Sequence, residues 1–174
     1  MESGCAICYS CRLSTLTDLL CSDASSHEAV ETTYDEHRET STFTFDSEFP
    51  KGKAVLSINY DGVLNDKMHG FYRSSYKDNE GNTKYMGVTQ FEATDARCAF
   101  PCWDEPAAKA TFAIKLVVPV ELEALSNMPV AQVTQVEPEE KTVHFETTPI
   151  MSTYVCPILP LQGGEFSFSL VRQC

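Results

Sequence analysis

Residues 89–106, TQFEATDARCAFPCWDEP, combine strand-like alternation with a corner bounded by prolines. On a strand, Gln90 and Glu92 would project from one face, because they lie two residues apart, and Phe91 would point to the other. A neutral amide beside an anion suits a cationic, hydrogen-bonding group such as a peptide α-ammonium, whose pKa is roughly 8. From alternation alone, a solvated sheet face is the simpler interpretation.

The second half of this stretch, FPCWDEP at residues 100–106, predicts a rigid corner. Its prolines fix φ and interrupt any strand ladder, and Phe100 and Trp103 are expected to supply buried area. Charged residues around the corner are expected to brace it, with a bidentate arginine–carboxylate contact as the natural arrangement. These charged residues are Asp95, Arg97, Asp104 and Glu105.

The segments before the corner predict a β-hairpin. Residues 71–76 and 83–90 alternate as strands, and the five-residue loop DNEGN at 78–82 joins them. The second strand leads directly into Gln90 and Glu92, so the hairpin would set the position and the orientation of both side chains.

Further strands are predicted on both sides of the hairpin by the same period of two. Residues 109–119 place four apolar side chains on one face, and residues 121–136 read as an irregular strand pair. The four side chains are Phe112, Ile114, Leu116 and Val118. Residues 42–45, 54–60 and 142–147 alternate similarly. No amphipathic helix longer than two turns stands out.

Length and charge limit the classes of function. A chain of 174 residues with 43% apolar residues ordinarily forms one domain that buries roughly 70% of its unfolded surface. A net charge of −12 argues against a nucleic-acid partner, which calls for a basic patch, and against anionic membrane surfaces. No run of eighteen apolar residues exists, so no membrane span is predicted.

The cysteines and the N-terminus indicate a compartment. No basic region followed by a long apolar region opens the chain, so a secretory signal is not expected, and we predict a cytoplasmic protein whose eight cysteines are reduced. Cys5, Cys8 and Cys11 are spaced like metal ligands, but zinc sites usually pair two C-x-x-C elements. We expect residues 1–26 to be a weakly ordered terminus, with a zinc-binding terminus as an alternative.

Other candidate chemistry is weak in this sequence. His27-Glu28 begins like the zinc motif H-E-x-x-H, but the fifth residue is Glu31, so we assign no catalytic role to it. His69 lies in a loop beside Gly70. Cys102 is expected to be a buried thiol and Cys98 a half-exposed one. No G-x-S-x-G elbow and no compelling Cys/His pairing is present, so no catalytic residue is predicted.

TQFEATDAR-x-AFPCWDEP, with GFYRSSY before it and KATF and ALSNM after it, closely resembles the zinc aminopeptidases of the aminopeptidase N / puromycin-sensitive aminopeptidase family. The resemblance runs from about Tyr34 to Tyr154. It implies an all-β fold: a curved, mostly antiparallel open sheet with a smaller second layer, a saddle-like N-terminal domain incomplete at both ends. It also implies a division into a divergent segment at 1–26, the aminopeptidase-type β-domain at 27–154 and a divergent tail at 155–174.

The resemblance implies a substrate-binding role. In the family the Gln-x-Glu lines the subsite for the first residue of the substrate, and its Glu holds the free α-amine; these roles fall on Gln90 and Glu92. The family's zinc motif belongs to a later catalytic domain, so zinc is implied for full-length relatives and no metal is predicted to bind this chain. Where relatives usually carry arginine, this chain has Cys98.

The expected function is therefore that of the substrate-binding domain of a zinc metalloaminopeptidase, which removes N-terminal residues from peptides. The expected partners are peptide N-termini and the catalytic domain of a full-length relative, and the chain is expected to be inactive alone. The alternative is a stand-alone peptide-binding or interaction module derived from that domain.

Overall fold

The computed structural model describes residues 3–6, 11–21, 26–48, 54–135, 137–156, 158–160 and 167–171. These residues form β-strands joined by loops and two short 3-10 turns, Ala96–Cys98 and Thr153–Val155. The strands are β1 (Ser3–Ala6), β2 (Cys11–Cys21), β3 (Ser26–Asp35), β4 (Thr40–Phe45), β5 (Ala54–Gly62), β6 (Gly70–Lys77), β7 (Thr83–Gln90), β8 (Ala113–Pro119), β9 (Ala124–Ser126), β10 (Val130–Gln135), β11 (Glu140–Phe145), β12 (Ile158–Pro160) and β13 (Ser167–Val171).

The predicted all-β, open and antiparallel class is confirmed. The strands are distributed over a five-stranded sheet of order β1-β4-β3-β2-β5, a four-stranded sheet of order β10-β11-β8-β13, and two-stranded pairs β6-β7 and β12-β9. Adjacent named strands pair in the antiparallel sense throughout. Within the described residues, no helix is long and apolar enough to cross a membrane.

Alternation in the five-stranded sheet follows the sequence. β4 alternates between half-buried and buried residues, and its Phe43 and Phe45 are buried against partly buried apolar residues of β3 and β5. Pairing also crosses the predicted boundary at residue 26, because β2 pairs with both β3 and β5. The segment that we expected to be weakly ordered thus contributes β1 and β2 to this sheet.

The main core is built on β8 and the residue just before it. Phe112, Ile114, Leu116 and Val118 are all at most 3% exposed, as the alternation of this segment predicts. They pack with apolar residues from the corner and from β11. The irregular strand pair predicted over residues 121–136 is not formed: β9 pairs with β12, and β10 pairs with β11.

The predicted hairpin is confirmed, since β6 and β7 pair in continuous register from Gly70 opposite Gln90 to Lys77 opposite Thr83. Asp78 organises the five-residue loop, because its carboxylate accepts hydrogen bonds from the backbone N–H groups of Glu80 (3.0 Å) and Asn82 (2.8 Å). These hydrogen bonds close the loop locally. The register of the hairpin is set by the pairing of β6 with β7.

Native Cys156 is expected to resist alkylation at pH 8. Burial raises the pKa of its thiol from 9.0 to about 12, so at pH 8 the reactive thiolate is roughly a thousandfold scarcer than for a thiol with the ordinary value. Because the folded pKa is the higher one, this thiol stabilises the fold below about pH 9, and that stabilisation is lost as the pH rises toward 12.

The measurement is mass spectrometry of the Cys156 peptide after iodoacetamide treatment of the native chain and of the chain in urea. Labelling in urea and protection in the native state is the expected result. Equal labelling rates in both states would contradict the burial of this thiol.

Candidate functional site

The predicted pair, Gln90 and Glu92, lies at the end of β7, the second strand of the hairpin. β7 ends at Gln90, and Glu92 opens the turn at residues 92–95, so the strand predicted to include Glu92 stops two residues earlier. Gln90 and Glu92 are nonetheless both exposed, and Phe91 between them is buried, as the alternation predicted. Within the described part of the chain neither side chain has a hydrogen-bond or ion-pair partner, which leaves both polar groups available to a ligand.

Phe91 anchors this exposed pair to the core. Its ring meets the ring of Phe100 edge-to-face with centroids 5.8 Å apart, and Phe100 meets Phe112 in the same way at 6.5 Å. The Phe91 carbonyl also accepts a hydrogen bond of 3.0 Å from the Asp95 N–H, which closes the turn. The backbone that presents Glu92 is therefore held on both sides of the residue.

The corner is braced by one buried carboxylate. Asp104, whose side chain is 1% exposed, accepts hydrogen bonds at Oδ2 from the backbone N–H (3.1 Å) and Nε (3.3 Å) of Arg97, and at Oδ1 from the Thr153 hydroxyl (2.7 Å). Arg97 also lies 3.8 Å from Glu39. The predicted arginine–carboxylate brace is therefore present, although the Arg97 guanidinium contacts a single carboxylate oxygen of Asp104 and donates its second hydrogen bond, of 3.4 Å, to the Asp104 backbone carbonyl. Glu105 is exposed.

Phe100 is buried, whereas Trp103 is buried only in part, at 37% exposed. The expectation for Cys98 is wrong, because it is 5% exposed and not half-exposed. Gly70 packs closely against this residue, because an ideal Cβ on Gly70 would lie 2.6 Å from the Cys98 Cβ.

A cluster that the sequence did not reveal lies beside the predicted pair. The loop before β6 places His69 near Asp95 and Cys98, and one ligand-type atom from each residue lies within 4.8 Å of the others. Because Gly70 pairs with Gln90, this cluster adjoins the end of β7. The spacing of 26 residues between His69 and Asp95 carries no local signal, although a histidine next to a glycine was visible in the sequence.

The described residues of the other metal-like motifs lie on strands of the five-stranded sheet. His27 and Glu28 lie on β3, where successive side chains point to opposite faces, and the His27 Nδ1 is 3.0 Å from the Ser47 hydroxyl. Cys5 lies on β1 and Cys11 on β2, and β4 and β3 lie between these two strands in the sheet order. Cys8 lies outside the described residues.

The geometry thus offers an anion and an amide on a supported turn. An exposed carboxylate with no internal partner can form a charge-assisted hydrogen bond with an ammonium group, and the amide adds a neutral donor and acceptor. His27 and Glu28 do not provide the zinc motif H-E-x-x-H of the aminopeptidase family, because they lie on a strand and are not followed by a second histidine at the fifth position.

Comparison with known sequences identifies the lineage. Residues 14–155 match the family described as the Peptidase M1 N-terminal domain. The chain is similar to aminopeptidase M1-C of Oryza sativa subsp. japonica and aminopeptidase M1 of Arabidopsis thaliana, with 56% and 52% identity over 124 residues. It is 46% identical over 134 residues to the puromycin-sensitive aminopeptidase of Caenorhabditis elegans.

The matched segments cover 71% to 76% of this chain and 14% of each of these three relatives. The family match begins at residue 14, inside β2, and so includes a strand that we assigned to the divergent N-terminal segment. The match covers most of the chain, and so the chain belongs to the Peptidase M1 N-terminal domain family.

Proposed function

We propose that this chain carries the substrate-binding part of a zinc metalloaminopeptidase, in which Gln90 and Glu92 hold the free N-terminus of a peptide. The single observation that carries the proposal is the position of this pair: both side chains are exposed, uncommitted within the described residues, and supported by buried Phe91. The similarity to proteins named aminopeptidases supports the choice of a peptide as the substrate.

Each residue has a distinct role in this proposal. Glu92 supplies the negative charge that neutralises the α-ammonium, and Gln90 supplies hydrogen bonds that orient it. Because the turn at 92–95 is closed by the Asp95–Phe91 hydrogen bond, little ordering of the turn is needed when the peptide binds. Hydrolysis itself is assigned to a catalytic domain that pairs with this one, and a cytoplasmic location stays a prediction.

Replacing Glu92 with Gln is expected to weaken binding of a peptide with a free N-terminus by roughly tenfold to 150-fold. This range corresponds to the loss of one charge-assisted hydrogen bond, about 1.5–3 kcal/mol. The measurement is fluorescence anisotropy of a short peptide labelled at its C-terminus, with the full 174-residue chain. An N-acetylated version of the same peptide lacks the ammonium and should bind native and variant chains equally weakly.

Glu105→Gln is the matched control, because Glu105 is also exposed and lies in the corner formed by residues 100–106. It removes the same charge from the chain and should leave the affinity unchanged. Equal weakening by Glu92→Gln and Glu105→Gln would reduce the effect to net charge and refute the assigned roles.

Turnover measured with and without an added catalytic domain separates the substrate-binding domain from the stand-alone peptide-binding module. With an aminoacyl chromogenic substrate and added zinc, the chain is expected to show no hydrolysis beyond the chelator-treated control. Binding without turnover fits both a substrate-binding domain and a stand-alone peptide-binding module. Restoration of hydrolysis by adding the catalytic part of an aminopeptidase would favour the substrate-binding domain. Chelator-sensitive turnover by the purified chain alone would refute the assignment of catalysis to another domain.

A further inference from the structure

His69, Asp95 and Cys98 bring together three types of metal-ligating atom at a place with no assigned role. His69 belongs to the loop before β6, Asp95 precedes the 3-10 turn Ala96–Cys98, and Cys98 ends that turn. One ring nitrogen of the histidine, a carboxylate oxygen and the thiol sulfur all lie within 4.8 Å of one another. The two segments that carry them adjoin Gly70 and Gln90, which pair with each other at the open end of the hairpin.

Two of the three atoms lack a hydrogen-bond partner in the described part of the chain. The His69 Nδ1 is buried there without one, and its distance of 3.7 Å to the Asp95 Oδ1 is longer than a hydrogen bond. Asp95 occupies the position before the 3-10 turn, yet its carboxylate does not cap that turn. Buried polar atoms normally form hydrogen bonds, so a buried nitrogen that lacks one and lies 3.7 Å from a carboxylate requires an explanation.

A tetrahedral zinc ion accounts for the three groups together. Bond lengths of about 2.0–2.3 Å to nitrogen, oxygen and sulfur place adjacent ligand atoms about 3.3–3.6 Å apart. The 3.7 Å between the His69 and Asp95 atoms is close to this spacing, and one ligand atom from each of the three residues lies within 4.8 Å of the others. Thiolate with imidazole favours zinc over magnesium or calcium, which prefer oxygen ligands.

The loop that presents His69 is organised in advance. Met68 and Gly70 on either side of it have φ of 61° and 65°, in the left-handed region. The side chain of Asn65 donates a hydrogen bond of 3.0 Å to the His69 carbonyl. A Cβ at Gly70 would lie 2.6 Å from the Cys98 Cβ, so only glycine lets the loop approach this thiol.

The cluster lies near the surface. The side chains of His69 and Asp95 are 42% and 32% exposed. A net charge of −12 raises the concentration of cations near the chain. From the Nδ1 that lacks a hydrogen bond, the carboxylate 3.7 Å from it and the nearby thiol, we propose that His69, Asp95 and Cys98 bind one zinc ion that ties the loop before β6 to the turn after β7.

The test is zinc binding by the full reduced chain after removal of metals. A chromophoric chelator competes for Zn²⁺ to give the affinity and stoichiometry, and Co²⁺ reports thiolate coordination through its charge-transfer absorption. His69→Ala and Cys98→Ser are each expected to weaken zinc binding more than about 100-fold, since even second-shell changes cost 10- to 100-fold. The Cys98→Ser variant is also expected to lose the cobalt–thiolate absorption.

Two controls make the result specific. His37→Ala removes an exposed histidine elsewhere and should leave zinc binding unchanged. A triple variant with serine at Cys5, Cys8 and Cys11 removes the alternative N-terminal thiols and should retain one bound zinc ion. Because His69 is partly exposed, His69→Ala is expected to fold, and circular dichroism checks this. The test therefore stands even if the Cys98→Ser variant does not fold.

Three results would overturn the site: no zinc binding by the native chain at micromolar concentration, unchanged binding in folded His69→Ala, or loss of binding in the triple variant. Peptide affinity at Glu92 is measured separately, so failure of the zinc site leaves the proposed peptide-binding function intact.

Discussion

Asp104→Ala is expected to lower the free energy of unfolding by about 3–5 kcal/mol, the usual cost of breaking a buried ion pair on one side. The Asp104 side chain is 1% exposed, and that of Arg97 is 17% exposed. Removing the carboxylate leaves a largely buried guanidinium whose remaining carboxylate neighbour, Glu39, lies at 3.8 Å. It also removes the acceptor of the buried Thr153 hydroxyl, which lies 49 residues away in the sequence.

The measurement is urea unfolding followed by the fluorescence of Trp103, which is adjacent to the substituted residue. The midpoint should fall while the m-value stays constant, because the surface exposed on unfolding is nearly unchanged. The same scan on Asp104→Asn keeps the shape and removes the charge, so it separates the ion pair from the loss of packing.

Asp66→Ala is the matched control. Asp66 also pairs with an arginine seven residues away, Arg73, through two contacts of 3.0 Å, but the two side chains are 66% and 50% exposed. Exposed ion pairs contribute about 0–1 kcal/mol, so this variant should remain close to the native stability. Equal losses for Asp66→Ala and Asp104→Ala would show that burial does not set the cost.

Phe112→Ala is expected to lower the free energy of unfolding by about 3–5 kcal/mol, the range for removing a buried aromatic ring from a packed core. Phe112 is 2% exposed and closes the row of edge-to-face rings that runs through Phe100 to Phe91. A cavity at Phe112 removes one neighbour of Phe100 and so loosens the support beneath Glu92. Peptide binding should therefore weaken as well.

Urea unfolding gives the stability, and anisotropy with the labelled peptide gives the affinity under conditions where the variant is still folded. Val133→Ala is the control, because Val133 lies on β10 and is more than half exposed. Surface substitutions of this kind usually change stability by less than about 0.5 kcal/mol. A loss at Phe112 no larger than that at Val133 would mean that the ring is not part of the packed core.

The hairpin, the core face of β8 and the exposure of Gln90 and Glu92 were all readable from the sequence. Each depends on the period of two, which assigns a side chain to a face of its own strand. The turn chemistry of the loop at 78–82 similarly depends on residues that are adjacent in the chain. Whether the exposed pair binds a peptide stays a prediction, because alternation fixes which face a residue occupies and not what that face contacts.

Only the tertiary structure decided which strands pair, which thiols are covered, and which charged groups meet. The pattern over residues 121–136 predicted only an irregular strand pair, and it did not show that β9 pairs with β12. Gly70 packs against Cys98, and the His69–Asp95–Cys98 cluster forms at the same place across 26 to 29 residues of sequence. Local pattern determines strand and face, whereas these contacts exist only once packing has brought distant segments together.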